Sequence, residues 1–123
     1  MNKITFFLII VLSTASLGAE AQASDFTLSS RDMKNGGLLD DTFVFNGFGC
    51  SGKNRSPALA WKNAPKGTQS FAVTMYDPDA PTGSGWWHWT LFNIPSTTTS
   101  LKRGASTETS LLPLGVRQGR TDF

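Results

Sequence analysis

Residues 76–89 read YDPDAPTGSGWWHW. The stretch holds two carboxylates, two prolines and two glycines, and it ends in three tryptophans that enclose His88, the chain's only histidine. SFAVTMY (70–76) leads in and WWHWTLFNI (86–94) leads out, both rich in β-branched and aromatic residues. The stretch therefore reads as the connection between two strands. In the first strand Phe71, Val73, Met75 and Asp77 share one face, and Ser70, Ala72, Thr74 and Tyr76 the other. A carboxylate at the end of an apolar face is costly unless it is paired or hydrogen-bonded. Pro78 biases Asp77 towards an extended conformation, while Pro81, Gly83 and Gly85 supply a rigid turn followed by a flexible one.

If the second strand returns antiparallel with Asp77 opposite Trp86, His88 lies two residues on along the same face. Such diagonal neighbours are about 7–8 Å apart at the backbone, within reach of long side chains. The carboxylate then orients the imidazole, whose other nitrogen faces a pocket walled by tryptophan and proline. That makes a small anion site: one donor, one orienting acid, apolar walls. A register slip of one residue sends His88 to the opposite face. The alternative is a solvent-facing hairpin loop with His88 packed among tryptophans as core filler. The residues alone leave both open.

The chain of 123 residues is one domain long, and 39% hydrophobic with 16% charged residues is the composition of a globular protein. A net charge of +2 with scattered Lys and Arg argues against nucleic acid or an anionic membrane as partner. Lys3, the apolar run ITFFLIIVL (4–12) and the small residues AEAQA (19–23) form the three-part pattern of a secretory signal peptide. The apolar run is short for a membrane span, which takes ~20 residues. Cleavage is expected after Ala23, with Ala21 the second choice and an uncleaved anchor the alternative. The domain is then residues 24–123, in the periplasm or secreted. Cys50 is the only cysteine. It is free, pairs between chains, or has its partner outside this sequence.

Along the rest of the chain, short β-rich runs alternate with turn residues, the pattern of a mostly β domain. DFTLSS (25–30), TFVFNGF (42–48) and ALAW (58–61) are strand candidates, NGG (35–37) is a turn, and NAPKGT (63–68) is a loop. Residues 96–110 are small and polar, a surface loop with room for one helical turn, and 111–123 read as irregular. A two-sheet sandwich takes about seven strands, and five are legible.

Several motifs fail on context. GFGCSG (47–52) matches a dinucleotide fingerprint, but Asn54–Pro57 follow where a helix must begin. Residues 77–88 start like a calcium loop, yet Thr82 stands where glycine is needed and His88 where glutamate is needed. Asp77, Asp79 and His88 are a weak transition-metal set, so no metal and no cofactor are expected. Ser84 with His88 and Asp77 lacks a nucleophile elbow, and Cys50 with His88 is no stronger as a catalytic pair.

NRSPALAW (54–61) followed by GTQSFAVTMYDPDAPTGSGWWHWTLFNIP (67–95) resembles the phosphatidylethanolamine-binding protein family, and within it the bacterial Raf kinase inhibitor-like (YbhB/YbcL) branch. SDFTLSSRDMKNGGLLDDTFVFNGFGCSG (24–52) and VRQGRTDF (116–123) are similar to it too. The resemblance implies a β-sandwich with a large antiparallel sheet, a smaller sheet and peripheral helices. It implies a small pocket for phosphate or a phospholipid headgroup, in which Asp77 matches the first aspartate and His88 the first histidine. Pro78 and Asp79 belong to the same element, and Trp86 matches an aromatic beside the pocket. The family pattern continues past a stretch like GRTDF with a second pocket histidine, a nearby tyrosine and closing strands, and secreted members can carry a further cysteine there. On that pattern the chain is expected to be the N-terminal part of its domain, incomplete at the C-terminus. Open strand edges and a partial core then give residues 24–123 low stability on their own.

The function so implied is an exported binding protein for a small anionic ligand or phospholipid headgroup, in a family with kinase and protease inhibitors. It is non-catalytic, with a protein target and a homodimer of the full-length protein left open. A hydrolase of phosphate or ester substrates, and a protein-interaction effector with a vestigial pocket, are the alternatives.

Overall fold

The computed structural model describes residues 25–123; the expected signal peptide lies outside the described residues. Among the described residues there are eight strands: β1 Thr27–Ser29, β2 Asn46–Gly47, β3 Cys50–Ser51, β4 Leu59–Lys62, β5 Ser70–Asp77, β6 Trp86–Pro95, β7 Ser100–Leu101 and β8 Arg117–Gln118. One 3₁₀ turn spans Thr109–Leu111. Every pairing is antiparallel. One sheet runs in the order β1-β4-β7, a second in the order β5-β6-β8, and β2-β3 is a separate hairpin. The fold is mostly β, as the sequence leads one to expect.

The two three-stranded sheets share a core. Leu59 and Trp61 from β4, Trp89, Leu91 and Ile94 from β6, and Leu101 from β7 form one buried cluster, with Phe71, Val73 and Met75 of β5 packed on its edge. Leu91 and Ile94 are the most deeply buried large side chains. Each contributes about 1.5–3 kcal/mol of burial as an upper bound. The two face the same way although they are three positions apart, against the alternation of a regular strand. The register explains it. Phe71 pairs with Ile94 but Val73 pairs with Leu91, so β6 carries one extra residue there. Asn93 takes φ +57°, the left-handed conformation that asparagine tolerates, and absorbs the extra residue as a bulge.

The expected strand over 42–48 is largely absent. Only Asn46–Gly47 pair, and the residues before them turn. The Asp40 side chain accepts the Thr42 N–H at 2.9 Å, and the carbonyls of Asp40 and Asp41 accept the N–H groups of Phe43 and Val44. Local aspartate bonding thus captures backbone that β-propensity would otherwise extend. Phe48 (φ 51°) and Gly49 (φ 88°) then close the β2-β3 hairpin.

A second device joins the start of the chain to its middle. The side chain of Asp32 is 1% exposed and accepts the Ala58 N–H at 2.7 Å. The Arg103 guanidinium forks onto both of its oxygens. Ser30 Oγ donates to the Ala58 carbonyl at 2.6 Å beside it. The side-chain hydrogen bond from Arg103, reinforced by the Ala58 N–H, lowers the Asp32 pKa to about 2.

Candidate functional site

Asp77 and Trp86 are opposite each other across β5 and β6, which is the register that brings His88 towards Asp77. Tyr76 pairs with Trp87 but Met75 with Trp89, so His88 is the extra residue of a second bulge. A bulge breaks the alternation and lets successive side chains lie towards one side. His88 and Trp89 accordingly both line one cleft, together with Met75, while Trp87 packs on Tyr76 with ring centroids 4.6 Å apart. His88 Nε2 stands 3.7 Å from Asp77 Oδ2, an ion-pair distance but longer than a hydrogen bond. The side chains are 33% and 44% exposed.

The connecting loop is tied at several points, not rigid in one half and loose in the other. Asp77 Oδ1 accepts the Asp79 N–H at 2.9 Å, which uses one carboxylate oxygen for the turn and leaves the other towards His88. Tyr76 Oη donates to the Ser84 carbonyl at 2.7 Å, and Thr82 Oγ1 donates to the Gly85 carbonyl at 2.6 Å. Gly85 has φ +73°, and a Cβ there would collide with the Tyr76 hydroxyl. This position requires glycine on both counts.

The cleft has a volume of about 350 Å³. Its apolar wall is aromatic: Phe123 lies against His88 (centroids 5.3 Å) and against Phe45 (4.3 Å). Arg55, Ser56 and Ser106 line it too. Arg55 donates to Glu108 at 2.7 Å, and both side chains are about half exposed. Ser56 and Ser106 each accept the other's backbone N–H, at 3.0 and 3.1 Å, so each hydroxyl oxygen is engaged in holding two loops together.

Of the five residues singled out in the sequence, His88 lines the cleft itself. Asp77 flanks it through His88. Trp86 packs against Phe123 (5.5 Å), with a buried indole N–H that has no partner among the described residues. Pro78 and Asp79 sit in the exposed turn beside Asp77. Ser84 and Cys50, the nucleophiles weighed for catalysis, do not line the cleft. Arg55, Ser106 and Gln118 line it and carried no signal of their own; they reach the cleft through long-range packing. The arrangement offers an imidazole backed by a carboxylate, a guanidinium and aromatic faces in one cleft. Chemically it suits a small anion with an organic part.

A family described as phosphatidylethanolamine-binding protein matches residues 29–123. The chain is 52% identical to the YbcL protein of Escherichia coli over 117 residues, covering 94% of this chain and 64% of YbcL. It is 53% identical to YbhB of the same organism over 96 residues, covering 78% of this chain and 61% of YbhB. The crystal structure of Escherichia coli YbcL, described as a new member of the mammalian PEBP family, superposes with a TM-score of 0.78 at 54% identity, covering 81% of this chain and 62% of that one. The chain spans less than two thirds of the length of these relatives.

Proposed function

The chain belongs to the phosphatidylethanolamine-binding protein family, and we propose that its cleft binds a small anionic group, phosphate or a phospholipid headgroup, without transforming it. The observation that carries this reading is the Asp77–His88 pair, 3.7 Å apart, with His88 lining the cleft. In such a site an imidazole N–H donates to an anionic oxygen, and the carboxylate behind it holds the ring's direction. Arg55 adds positive potential to the cleft, moderated by Glu108. The aromatic faces of Phe45 and Phe123 offer apolar contact to whatever carries the anion.

Export is part of the proposal, on the pattern of residues 1–23. A periplasmic or secreted protein meets headgroups and free phosphate esters outside the cytoplasm. The inhibitor role implied by family resemblance stays a proposal of the same rank, and it needs a target in that compartment.

The test is calorimetric titration of the chain with inorganic phosphate and with phosphoethanolamine, for the wild type and for His88→Ala. Saturable binding that His88→Ala abolishes supports the reading. Turnover of a phosphate or acetyl ester by the wild type, lost with His88, overturns it in favour of a hydrolase. Equal binding by both proteins removes His88 from the site.

A further inference from the structure

The segment VRQGRTDF (116–123) does more than supply Phe123 to the cleft wall. In the fold it runs along β6 and holds that strand on both sides of the His88 bulge. Gln118 pairs with Leu91 and Arg117 with Phe92. Gly119 N–H donates to the Thr90 carbonyl at 3.0 Å. Further on, the Trp87 N–H donates to Asp122 Oδ2 at 2.7 Å, and the Asp122 N–H returns to the Trp87 carbonyl at 3.2 Å. Between these anchors a side chain takes over. The Trp89 indole N–H donates to Gln118 Oε1 at 2.8 Å, and Gln118 Nε2 donates to the Ser106 carbonyl at 3.0 Å.

Both chain neighbours of His88 are therefore fastened, Trp87 by Asp122 and Trp89 by Gln118. A bulged residue has lost its own place in the ladder, so its direction depends on such neighbours. Trp89 is 7% exposed, and its indole N–H finds its partner in Gln118. Gln118 lines the cleft as well, but each end of its amide is engaged with protein, so its hold on His88 runs through Trp89.

We infer that Gln118 is a positioning residue of the anion site: it holds the Trp89 indole, and through it the bulged backbone that carries the His88 imidazole. The inference rests on the anion-binding reading for its consequence, and on the hydrogen bonds alone for its mechanism.

The test uses the full chain, whose single histidine gives one set of imidazole ring resonances. Gln118→Met keeps the length of the side chain and removes the acceptor. Gln118→Glu keeps an acceptor for Trp89 and removes the donor to Ser106. Without ligand, Gln118→Met is expected to shift the His88 ring resonances and to speed exchange of the Trp89 indole proton at least tenfold. Gln118→Glu keeps both near the wild type. With inorganic phosphate as probe, Gln118→Met raises Kd fivefold or more.

The inference is overturned if Gln118→Met leaves the His88 resonances in place and the phosphate Kd within twofold. It is equally overturned if Gln118→Glu moves His88 as far as Gln118→Met does, or if both variants unfold, since Gln118 is then simply structural. Should Gln118→Met alone unfold, the His88 resonances of Gln118→Glu decide. If wild type binds no phosphate, the anion reading fails by itself, and the ligand-free signals still decide the role of Gln118.

Discussion

Replacing Asp32 by asparagine tests the link between the first strand and the rest of the core. Asp32 is buried at its carboxylate, yet its partner Arg103 is 46% exposed. The hydrogen bond from Arg103 and the one from the Ala58 N–H bring its pKa from 3.8 to about 2. A group with a depressed folded-state pKa adds stability above its unfolded value, and that stability is lost as pH falls through the folded value. Here the window runs from about pH 4 down to about pH 2. At 1.36 kcal/mol per unit the shift corresponds to an upper bound of about 2.4 kcal/mol, and solvent around Arg103 reduces this to about 1–2 kcal/mol. The substituted amide would still accept from Ala58 but would offer Arg103 no charge. Urea unfolding followed by tryptophan fluorescence reads this directly, because Trp61 and Trp89 are buried. At pH 7 Asp32→Asn should unfold at lower urea by about 1–2 M, taking a slope of about 1 kcal/mol/M for a domain of this size. The gap should close as pH falls to 2. A constant gap between pH 7 and pH 2, or none at pH 7, would refute the reasoning.

Two further outcomes follow from the core and the loop. Leu91→Ala should destabilise by about 2–5 kcal/mol, because Leu91 is 1% exposed between the two sheets; the same urea titration measures it, and a loss below 1 kcal/mol would mean that the sheets do not share a core. Gly85→Ala should cost about 1–3 kcal/mol, through its positive φ and the Tyr76 hydroxyl beside it; it should also speed amide exchange at 76–86, and unchanged exchange there would show the loop is not pinned by this contact.

The long strands were legible because their side chains alternate and their ends carry proline, glycine and asparagine. For β5 and β6 the sequence admits the pairing of Asp77 with Trp86 without fixing it, and the fold makes that pairing. The two bulges were not legible, since nothing in WWHWTLFNI marks where an extra residue sits. Yet the bulges decide that His88 and Trp89 share a cleft and that Leu91 and Ile94 share a core. The turn at Asp40–Val44 was misread because aspartate bonding there overrides the β-propensity of TFVF. β3, β7 and β8 have two residues each and exist through pairing with distant segments, so they carry little periodicity of their own. The same holds for the rest of the cleft lining. Arg55, Ser106 and Gln118 come from three separate stretches, and only the fold brings them to the cleft that His88 lines.

The central claim is that His88, backed by Asp77, receives an anion. The most direct measurement follows the His88 ring resonances by NMR while the chain is titrated with inorganic phosphate. The account predicts one saturable shift of those resonances. In Asp77→Asn the Kd should rise by about fivefold or less, since a pair this exposed is worth under about 1 kcal/mol. Phosphate that leaves the His88 resonances unmoved, or that moves them without saturation, would contradict it.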